Sequence, residues 1–411
     1  MPHRTPGRFH FRLSAPVPFL LFYTIAVPCH AQSREVLCRN GSGNFEADFH
    51  TGVKVRAGAA RKAEGQLAGR VCEATLSWDK QQIVITGKAQ LDVDVFGVDL
   101  GLGGPVVAFQ LKNSDNECCM AYQIYSLQKP PRLLRTITGG DSFSASDTDL
   151  DGRVEIWTTD ADAVNGFENL VEGELDFAPT VVLRFQHSQL LDVSSEFRSY
   201  FDQQIAKLRA GLDSQDLQDF KNGDGRSTSA ASLSAQRLHQ LRSVKIKVLE
   251  VVWSYLYSGR EAEAWRALID MWPAPDVQRI QSALSNAYAH GIRAQVDGTS
   301  SGASAGRKRS AVVFDTVSRP ERNKSEVIPA QPILMRRPAP LASEQSLAGS
   351  ELLLDLLIDS AGKVRSAETA GSTKSSDADL IKAAMEWTFI PAFKDGRAVA
   401  SRLRLAVSAK R

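Results

Sequence analysis

The sequence predicts an α+β protein built from several domains, and three features of its 411 residues support this prediction. Short apolar runs separated by turn-forming residues fill residues 32–190, which is typical of antiparallel sheets. Apolar residues then recur at helical spacing through residues 191–296. Alternation with a period of two returns in residues 347–411, after a segment rich in Ser, Pro and basic residues.

Residues 1–31 have the pattern of a secretory signal peptide. Several arginines precede an apolar stretch from Leu13 to Val27, and Ala31 supplies a small residue for cleavage. The stretch is shorter than the roughly 20 residues of a membrane span, and prolines interrupt it. We therefore expect cleavage after Ala31 and export to the periplasm or cell envelope. An uncleaved inner-membrane anchor and a lipid on Cys29 are the alternatives, and we expect membrane contact only if the segment stays uncleaved.

Residues 32–190 are predicted to form an antiparallel sandwich or barrel-like domain. The predicted strands are Val71–Trp78, Ile83–Ile85, Leu91–Val95, Val106–Leu111, Met120–Leu127, Leu133–Ile137, Val154–Thr158 and Thr180–Phe185. At Gly97 the apolar alternation changes face, which predicts a β-bulge.

Four cysteines follow the predicted signal peptide: Cys38, Cys72, Cys118 and Cys119. An even number in an exported chain predicts disulfides. Adjacent cysteines rarely bridge one another, so we expect Cys38 and Cys72 each to pair with one of Cys118 and Cys119. Free buried thiols are the alternative.

The most distinctive polar pattern of the β-rich domain is an Asp-rich loop. Its candidate metal ligands are Asp147, Asp149, Asp151, the backbone carbonyl of Arg153, and Glu155. Ca²⁺ prefers six to eight oxygen ligands, and a glycine after the third Asp lets the chain turn. The pattern predicts a weak, structural calcium site. The alternative is a polar turn whose side chains hydrogen-bond their own backbone.

Residues 191–296 are predicted to be helical. Ser195 can cap a helix with the apolar stripe Phe197, Phe201, Ile205, Leu208 and Leu212. Three more helices are predicted over Gln236–Tyr257, Glu261–Met271 and Asp276–His290. Residues 297–346 are rich in Ser, Gly, Ala, Pro and basic residues, so we expect a flexible linker there.

The C-terminal residues 347–411 predict a small module with the order strand, strand, helix, strand. The strands Leu352–Ile358 and Val364–Ala367 flank a turn, and a helix is expected from Asp377 to Met385. Trp387, Phe389 and Phe393 then return to the core. In the last strand Leu403, Leu405 and Val407 alternate with polar residues.

Residues 333–411 resemble the C-terminal domain of the TonB energy-transducer family. The motifs that carry the resemblance are Asp359-Ser-Ala-Gly362, Ala378-Asp379-Leu380, Trp387-Thr-Phe389-Ile-Pro391 and Gly396-Arg397. The resemblance implies strand addition, in which a partner's extended segment pairs with an open edge beside residues 397–407. The residues on that edge would be Arg397, Val399, Arg402 and Arg404. The implied partner is an envelope protein such as an outer-membrane receptor, and the implied role is transport or energy transduction.

We therefore expect a non-enzymatic exported protein that contains a calcium-stabilised β domain and a C-terminal binding module. No interleaved basic and aromatic stripe indicates nucleic-acid binding. Two alternatives remain. The first is an exported hydrolase with the β-rich domain as its catalytic unit and Ser142 of Gly140-Asp141-Ser142 as candidate nucleophile. The second is a helical scaffold for assembly of envelope proteins.

Overall fold

The computed structural model shows a mixed α+β fold, so the predicted fold class is confirmed at this level. It describes residues 38–39, 44–60, 71–115, 118–169, 178–225, 234–300, 310–319, 327–328, 330–334, 351–370, 377–394 and 397–409. The predicted signal peptide, residues 1–31, lies outside the described residues.

The strands, in chain order, are β1 (Cys38–Arg39), β2 (Asn44–Asp48), β3 (Lys54–Ala59), β4 (Cys72–Trp78), β5 (Gln81–Lys88), β6 (Gln90–Val98), β7 (Val106–Lys112), β8 (Met120–Ser126), β9 (Leu133–Ser146), β10 (Glu155–Asp160), β11 (Thr180–Gln186), β12 (Gln189–Asp192), β13 (Gly298–Thr299), β14 (Phe314–Arg319), β15 (Val327–Ile328), β16 (Gln331–Leu334), β17 (Leu352–Ile358), β18 (Val364–Thr369), β19 (Thr388–Ile390), β20 (Ala392–Lys394), β21 (Arg397–Val399) and β22 (Ser401–Ala409). The α-helices are α1 (Ala161–Val164), α2 (Arg198–Ala210), α3 (Ser214–Lys221), α4 (Ala235–Tyr257), α5 (Glu261–Met271), α6 (Val277–His290) and α7 (Asp377–Ala384).

The largest sheet has nine strands in the order β1-β6-β7-β8-β9-β10-β11-β12-β13. Strands β6 and β7 are buried along nearly their whole length, as expected for strands that are covered on both faces. Each of the eight predicted strands is present, but β9 continues well beyond the predicted end at Ile137, to Ser146. Strands β1, β2, β3 and β12 were not predicted. The predicted bulge is confirmed, because the β6–β7 register shifts around Gly97, whose φ is +77°.

A second sheet combines strands from both ends of the chain. The hairpins β2 to β5 lie at one end of the order β15-β20-β21-β2-β3-β4-β5. Strand β21 joins them through a parallel pairing of Arg397 with Glu46. Buried residues of this sheet, the nine-stranded sheet and the helices form one hydrophobic core, which we call the main core.

The helices α2 to α6 pack into this main core. All four predicted helices are present as α2, α4, α5 and α6, and α3 was not predicted. Polar side chains connect α4 to the β-rich domain, since the Tyr257 hydroxyl donates to Asp160 of β10 at 2.7 Å and Lys245 pairs at 3.2 Å with Glu168, in the turn after α1. The predicted cap of α2 is wrong, because the Ser195 hydroxyl donates to the Ser300 carbonyl at 3.2 Å. Among the described residues, every helix is too short or too polar to cross a lipid bilayer.

The C-terminal residues form a four-stranded sheet in the order β14-β22-β17-β18, against which α7 packs. Apolar residues of β17, β18 and β22 form a second, smaller core with Trp387 and Phe389, both of which are 1% exposed. The alternation of the last strand is confirmed, since Leu403, Leu405 and Val407 are buried.

The predicted linker, residues 297–346, contributes four strands, so the prediction of an unstructured tether needs correction there. Strand β13 pairs with β12, β14 with β22, β15 with β20, and β16 with β19. The composition is rich in turn formers, but short stretches within it can still complete the edges of existing sheets. Backbone hydrogen bonds to a preformed edge need little apolar content from the added strand.

All four cysteines form disulfides, but the predicted pairing is wrong. Cys38 pairs with Cys72, and Cys118 pairs with its neighbour Cys119. The first bridge links β1 to β4 across a sequence separation of 34, which on chain-entropy grounds stabilises the fold by about 4 kcal/mol. The second closes the smallest ring a chain allows and removes little freedom from the unfolded chain. The two bridges therefore differ in their importance for stability.

Candidate functional site

The Asp-rich loop connects β9 to β10, whose ends pair at Ser146 and Glu155. Asp147 accepts hydrogen bonds from the backbone N–H groups of Asp151 at 3.0 Å and Gly152 at 2.9 Å. Leu150 and Gly152 have φ values of +59° and +88°, which let the chain reverse within a few residues. The loop is therefore held in one conformation by its own carboxylates.

Three carboxylates converge in this loop. One carboxylate oxygen from each of Asp147, Asp149 and Asp151 lies within 4.8 Å of the other two. Asp147 is fully buried, whereas the Asp151 side chain is 25% exposed. A carboxylate oxygen that accepts one N–H keeps a further lone pair. The three groups can thus still offer oxygen ligands to a hard cation such as Ca²⁺.

The protonation of these carboxylates reflects their burial. Burial and the nearby Glu155 raise the pKa of Asp147 to about 8. Burial and the neighbouring Asp151 raise the pKa of Asp149 to about 6. Burial also acts on Asp151, but hydrogen bonds from Arg153 hold the pKa of that carboxyl below its usual value. Confinement of like charges thus works against full ionisation of the loop.

Glu155 lies at the base of the loop and is fully buried. It accepts hydrogen bonds from the Thr148 N–H at 3.0 Å and from Nε of Arg184 at 3.1 Å. Burial and Asp149 raise the pKa of Glu155 to about 8 despite this arginine, which also donates to Glu196 at 2.9 Å. The four carboxylates of the loop share two guanidinium groups, and the raised pKa values of Asp147 and Glu155 mean that a divalent cation would have to displace their protons in order to bind all four groups.

The same loop joins the main core to the smaller core. Leu150 is only 2% exposed, and it belongs to the smaller core together with residues of β17 and β22. The Phe314 N–H of β14 donates to the Thr148 carbonyl at 2.9 Å, and the Asp147 N–H donates to the Ile333 carbonyl of β16 at 2.8 Å. One turn therefore anchors β14, β16 and the C-terminal sheet to the β-rich domain.

The residues predicted to bind a partner lie on strands that are already paired within the chain: Arg397 and Val399 on β21, and Arg402 and Arg404 on β22. Strand β21 pairs with β20 and, at one residue, with β2. Strand β22 pairs with β17 on one side and β14 on the other. The prediction of an open edge beside residues 397–407 is wrong, because β14 pairs with β22 from Arg404 onward, while β20 and β2 flank β21.

The arginines on β22 are exposed side chains on one face of the sheet. Arg404 donates two hydrogen bonds of 2.7 Å to Asp355 on β17, and they hold the pKa of Asp355 below its usual value. This ion pair joins residues that are opposite one another in the β17–β22 ladder.

Strand β14 has six residues paired with β22 in a continuous antiparallel register, from Phe314 opposite Ala409 to Arg319 opposite Arg404. It is the terminal strand in the order of its sheet. A weak signal for it is present in the sequence, since the apolar run Val312-Val313-Phe314 is followed by the β-branched residues Thr316 and Val317. The Ser- and Pro-rich surroundings concealed that signal.

The hydrolase alternative receives no geometric support from the region of Ser142. This residue lies inside the long strand β9, where its carbonyl accepts a hydrogen bond from the Thr158 hydroxyl at 2.7 Å. A nucleophilic serine of a hydrolase is usually presented on a sharp turn between a strand and a helix. Ser142 has no such turn.

A scan against protein-family models, a search of curated proteins and a search of solved structures each found no match for the chain. The resemblance of residues 333–411 to the TonB family therefore stays a prediction.

Proposed function

We propose that this is an exported, non-enzymatic envelope protein whose C-terminal module binds an extended segment of another envelope protein by strand addition. The binding edge is that of β22, and the partner's strand replaces β14. A single observation carries this proposal: a strand from outside the module occupies the edge that strand addition requires.

The composition of the smaller core supports replacement of β14. The buried residues of this core come chiefly from β17, β18, β22 and the segment around Trp387. Strand β14 contributes Phe314. Strand β22 keeps its seven paired residues on β17 when β14 leaves. The module can therefore keep its own packing while its edge is free.

Energetics also support an exchange. A partner strand restores the backbone hydrogen bonds that β14 gives up, so the net difference comes from side chains and from chain connectivity. A segment tethered within the same chain competes at an effective concentration in the millimolar range. A natural partner must therefore bind more tightly than a short copy of β14 would.

We further propose that Ca²⁺ binds at Asp147, Asp149 and Asp151 and fixes the anchor of β14. The Thr148 carbonyl, which accepts from Phe314, lies between two of these ligands. A bound ion would stiffen the loop and favour the state with β14 in place. Export through a cleaved signal segment would expose the protein to calcium outside the cytoplasm.

The backbone of the β22 edge determines what kind of segment it can bind. Strand addition requires an extended, unpaired segment, and main-chain hydrogen bonds supply affinity with little demand on sequence. We propose a segment of an outer-membrane receptor as this partner, in line with the resemblance of residues 333–411. The helices pack their apolar faces into the main core, so a separate helical scaffold is less well supported.

A peptide with the sequence of residues 311–320 tests the exchange when it is added to the full-length protein. Three proteins are compared by fluorescence anisotropy: the wild type, a T316P/V317P variant, and a D315C/S408C variant. Consecutive prolines remove a ladder hydrogen bond whichever way the strand faces. Residues 315 and 408 are opposite one another, so a disulfide there locks β14 in place.

We expect the proline variant to bind the peptide at least tenfold more tightly than the wild type, because the tethered competitor is lost. The oxidised cysteine variant should not bind, and the D315C and S408C single variants should behave like the wild type. Equal binding to the locked and unlocked proteins would contradict the proposal. Failure of the proline variant to bind would do the same.

A further inference from the structure

A cavity of about 340 Å³ lies beside the Cys118–Cys119 disulfide, away from the Asp-rich loop and the β22 edge. Its walls come from β7, β8 and β9, the segment between β7 and β8, and helix α1. The lining residues are Leu111, Asn113, Cys118, Cys119, Met120, Ala121, Thr138, Gly139 and Asp162. Three consecutive sulfur-containing residues therefore line one cavity.

The cavity is open space rather than a packing defect that a neighbour could fill. Gly139 lines it with a φ of +92°, and a Cβ there would come within 3.0 Å of the Asp162 Cβ. A side chain at this position would be strained and would narrow the cavity. The β7–β8 ladder beside it is regular, whereas the β8–β9 ladder shifts register between Met120 and Ala121, opposite Gly139.

The disulfide beside this cavity does not act as a cross-link between distant parts of the chain. It joins consecutive residues, whereas Cys38–Cys72 links two sheets. Cys38 and Cys72 are fully buried, while Cys118 and Cys119 are partly exposed. A reductant that reaches the surface therefore meets Cys118 and Cys119 first, and their reduction leaves the connections of the fold unchanged.

We propose that Cys118, Cys119 and Met120 form a thiophilic metal site that opens on reduction and takes a soft monovalent cation, Cu(I). A dithiol reductant transfers two electrons and two protons to the Sγ–Sγ bond, which yields two thiols, and the reductant closes into its own disulfide. Cu(I) then binds the two sulfurs as thiolates with release of their protons, and the Met120 thioether supplies a third donor.

The donor set selects the metal. Thiolate and thioether sulfur are soft ligands that favour Cu(I), whereas Mg²⁺ and Ca²⁺ prefer oxygen. Zn²⁺ in structural sites takes four tetrahedral ligands from Cys, His, Asp and Glu, and a methionine thioether is not among them. The oxidised pair has no thiolate to offer, so the site exists only in the reduced protein.

Full-length protein treated with dithiothreitol tests the first step. Alkylation mapped by mass spectrometry should label Cys118 and Cys119 at a reductant concentration that leaves Cys38 and Cys72 bridged. Reduction of the buried bridge first, or of both together, would overturn the proposal.

Anaerobic titration with Cu(I) against a chromophoric Cu(I) chelator tests the second step. The reduced wild type should bind one Cu(I) per chain, while the oxidised wild type and a C118S/C119S variant should bind none. A Met120→Leu variant, which keeps the side-chain volume, should bind at least tenfold more weakly. Retention of Cu(I) by C118S/C119S would refute the site, as would no uptake by the reduced wild type. Unchanged affinity in Met120→Leu would overturn the three-sulfur site.

Discussion

Leu150 should be the residue whose truncation most clearly uncouples the two cores. It lies on a loop of the β-rich domain, yet its side chain is buried in the smaller core of the C-terminal module. Truncation of a buried Leu to Ala typically costs 2–5 kcal/mol, so we expect Leu150→Ala to lower the free energy of unfolding by about 3 kcal/mol. Leu and Ala are both disfavoured at a φ of +59°, so the backbone strain is similar in the wild type and the variant. The difference in stability therefore reports the loss of packing.

The assay is urea unfolding of the full-length protein, followed by tryptophan fluorescence. Leu133→Ala is the matched control, because Leu133 is 49% exposed and its truncation should change stability by no more than about 0.5 kcal/mol. Leu150→Gly should cost about 1 kcal/mol less than Leu150→Ala, since Gly tolerates the left-handed backbone. Equal, small effects of Leu150→Ala and Leu133→Ala would show that the loop does not hold the cores together.

Three further predictions concern the bridges, the loop and a buried carboxyl. Replacement of Cys38 and Cys72 by Ala should destabilise the protein by about 2–4 kcal/mol, whereas the same change at Cys118 and Cys119 should stay within about 1 kcal/mol in thermal melts. Chelation of calcium should lower the melting temperature of the protein, because free Ca²⁺ at a hundred times its dissociation constant would stabilise the folded state by about 2.7 kcal/mol. Asp149→Ala should abolish this calcium response, and Asp48→Ala should leave it intact. A melting curve that chelator does not change would show that the loop is a polar turn without a bound ion. Burial raises the pKa of Asp160, so the folded state binds more protons, and this group's contribution to stability should fall as pH rises from its unfolded pKa of about 3.9 through its folded pKa. Asp160→Asn should flatten that slope in unfolding measured across pH, and an unchanged slope would count against the assignment.

The sequence predicts eight strands of the β-rich domain and the last strand, because apolar runs mark them, but it misses β2 and β3, whose buried residues are interrupted by charged ones. In β22 the alternation of Leu403 and Leu405 with arginines reports burial directly. Helices α4 and α5 are predicted within one residue at each end, since apolar periodicity and stop signals coincide there. Local patterns are sufficient where a single chain segment determines its own environment.

The pairing partners could not be predicted, because they depend on contacts between distant segments. The residues of β14 read as linker, and only the free edge of β22 makes them a strand. Leu150 belongs to a polar turn in the sequence, yet it completes the core of another module. The rarity of disulfides between neighbouring cysteines predicts distant partners for Cys118 and Cys119, whereas the fold places Cys38 beside Cys72.

Strand addition at β22 requires that β14 can leave β22 while the rest of the module stays folded. Amide hydrogen exchange of the full-length protein, resolved by mass spectrometry, measures this directly. We expect the amides of β14 to exchange by local opening, with a free energy well below that of global unfolding, and those of β17 to exchange only on global unfolding. Exchange of β14 at the same slow rate as β17 would contradict the claim.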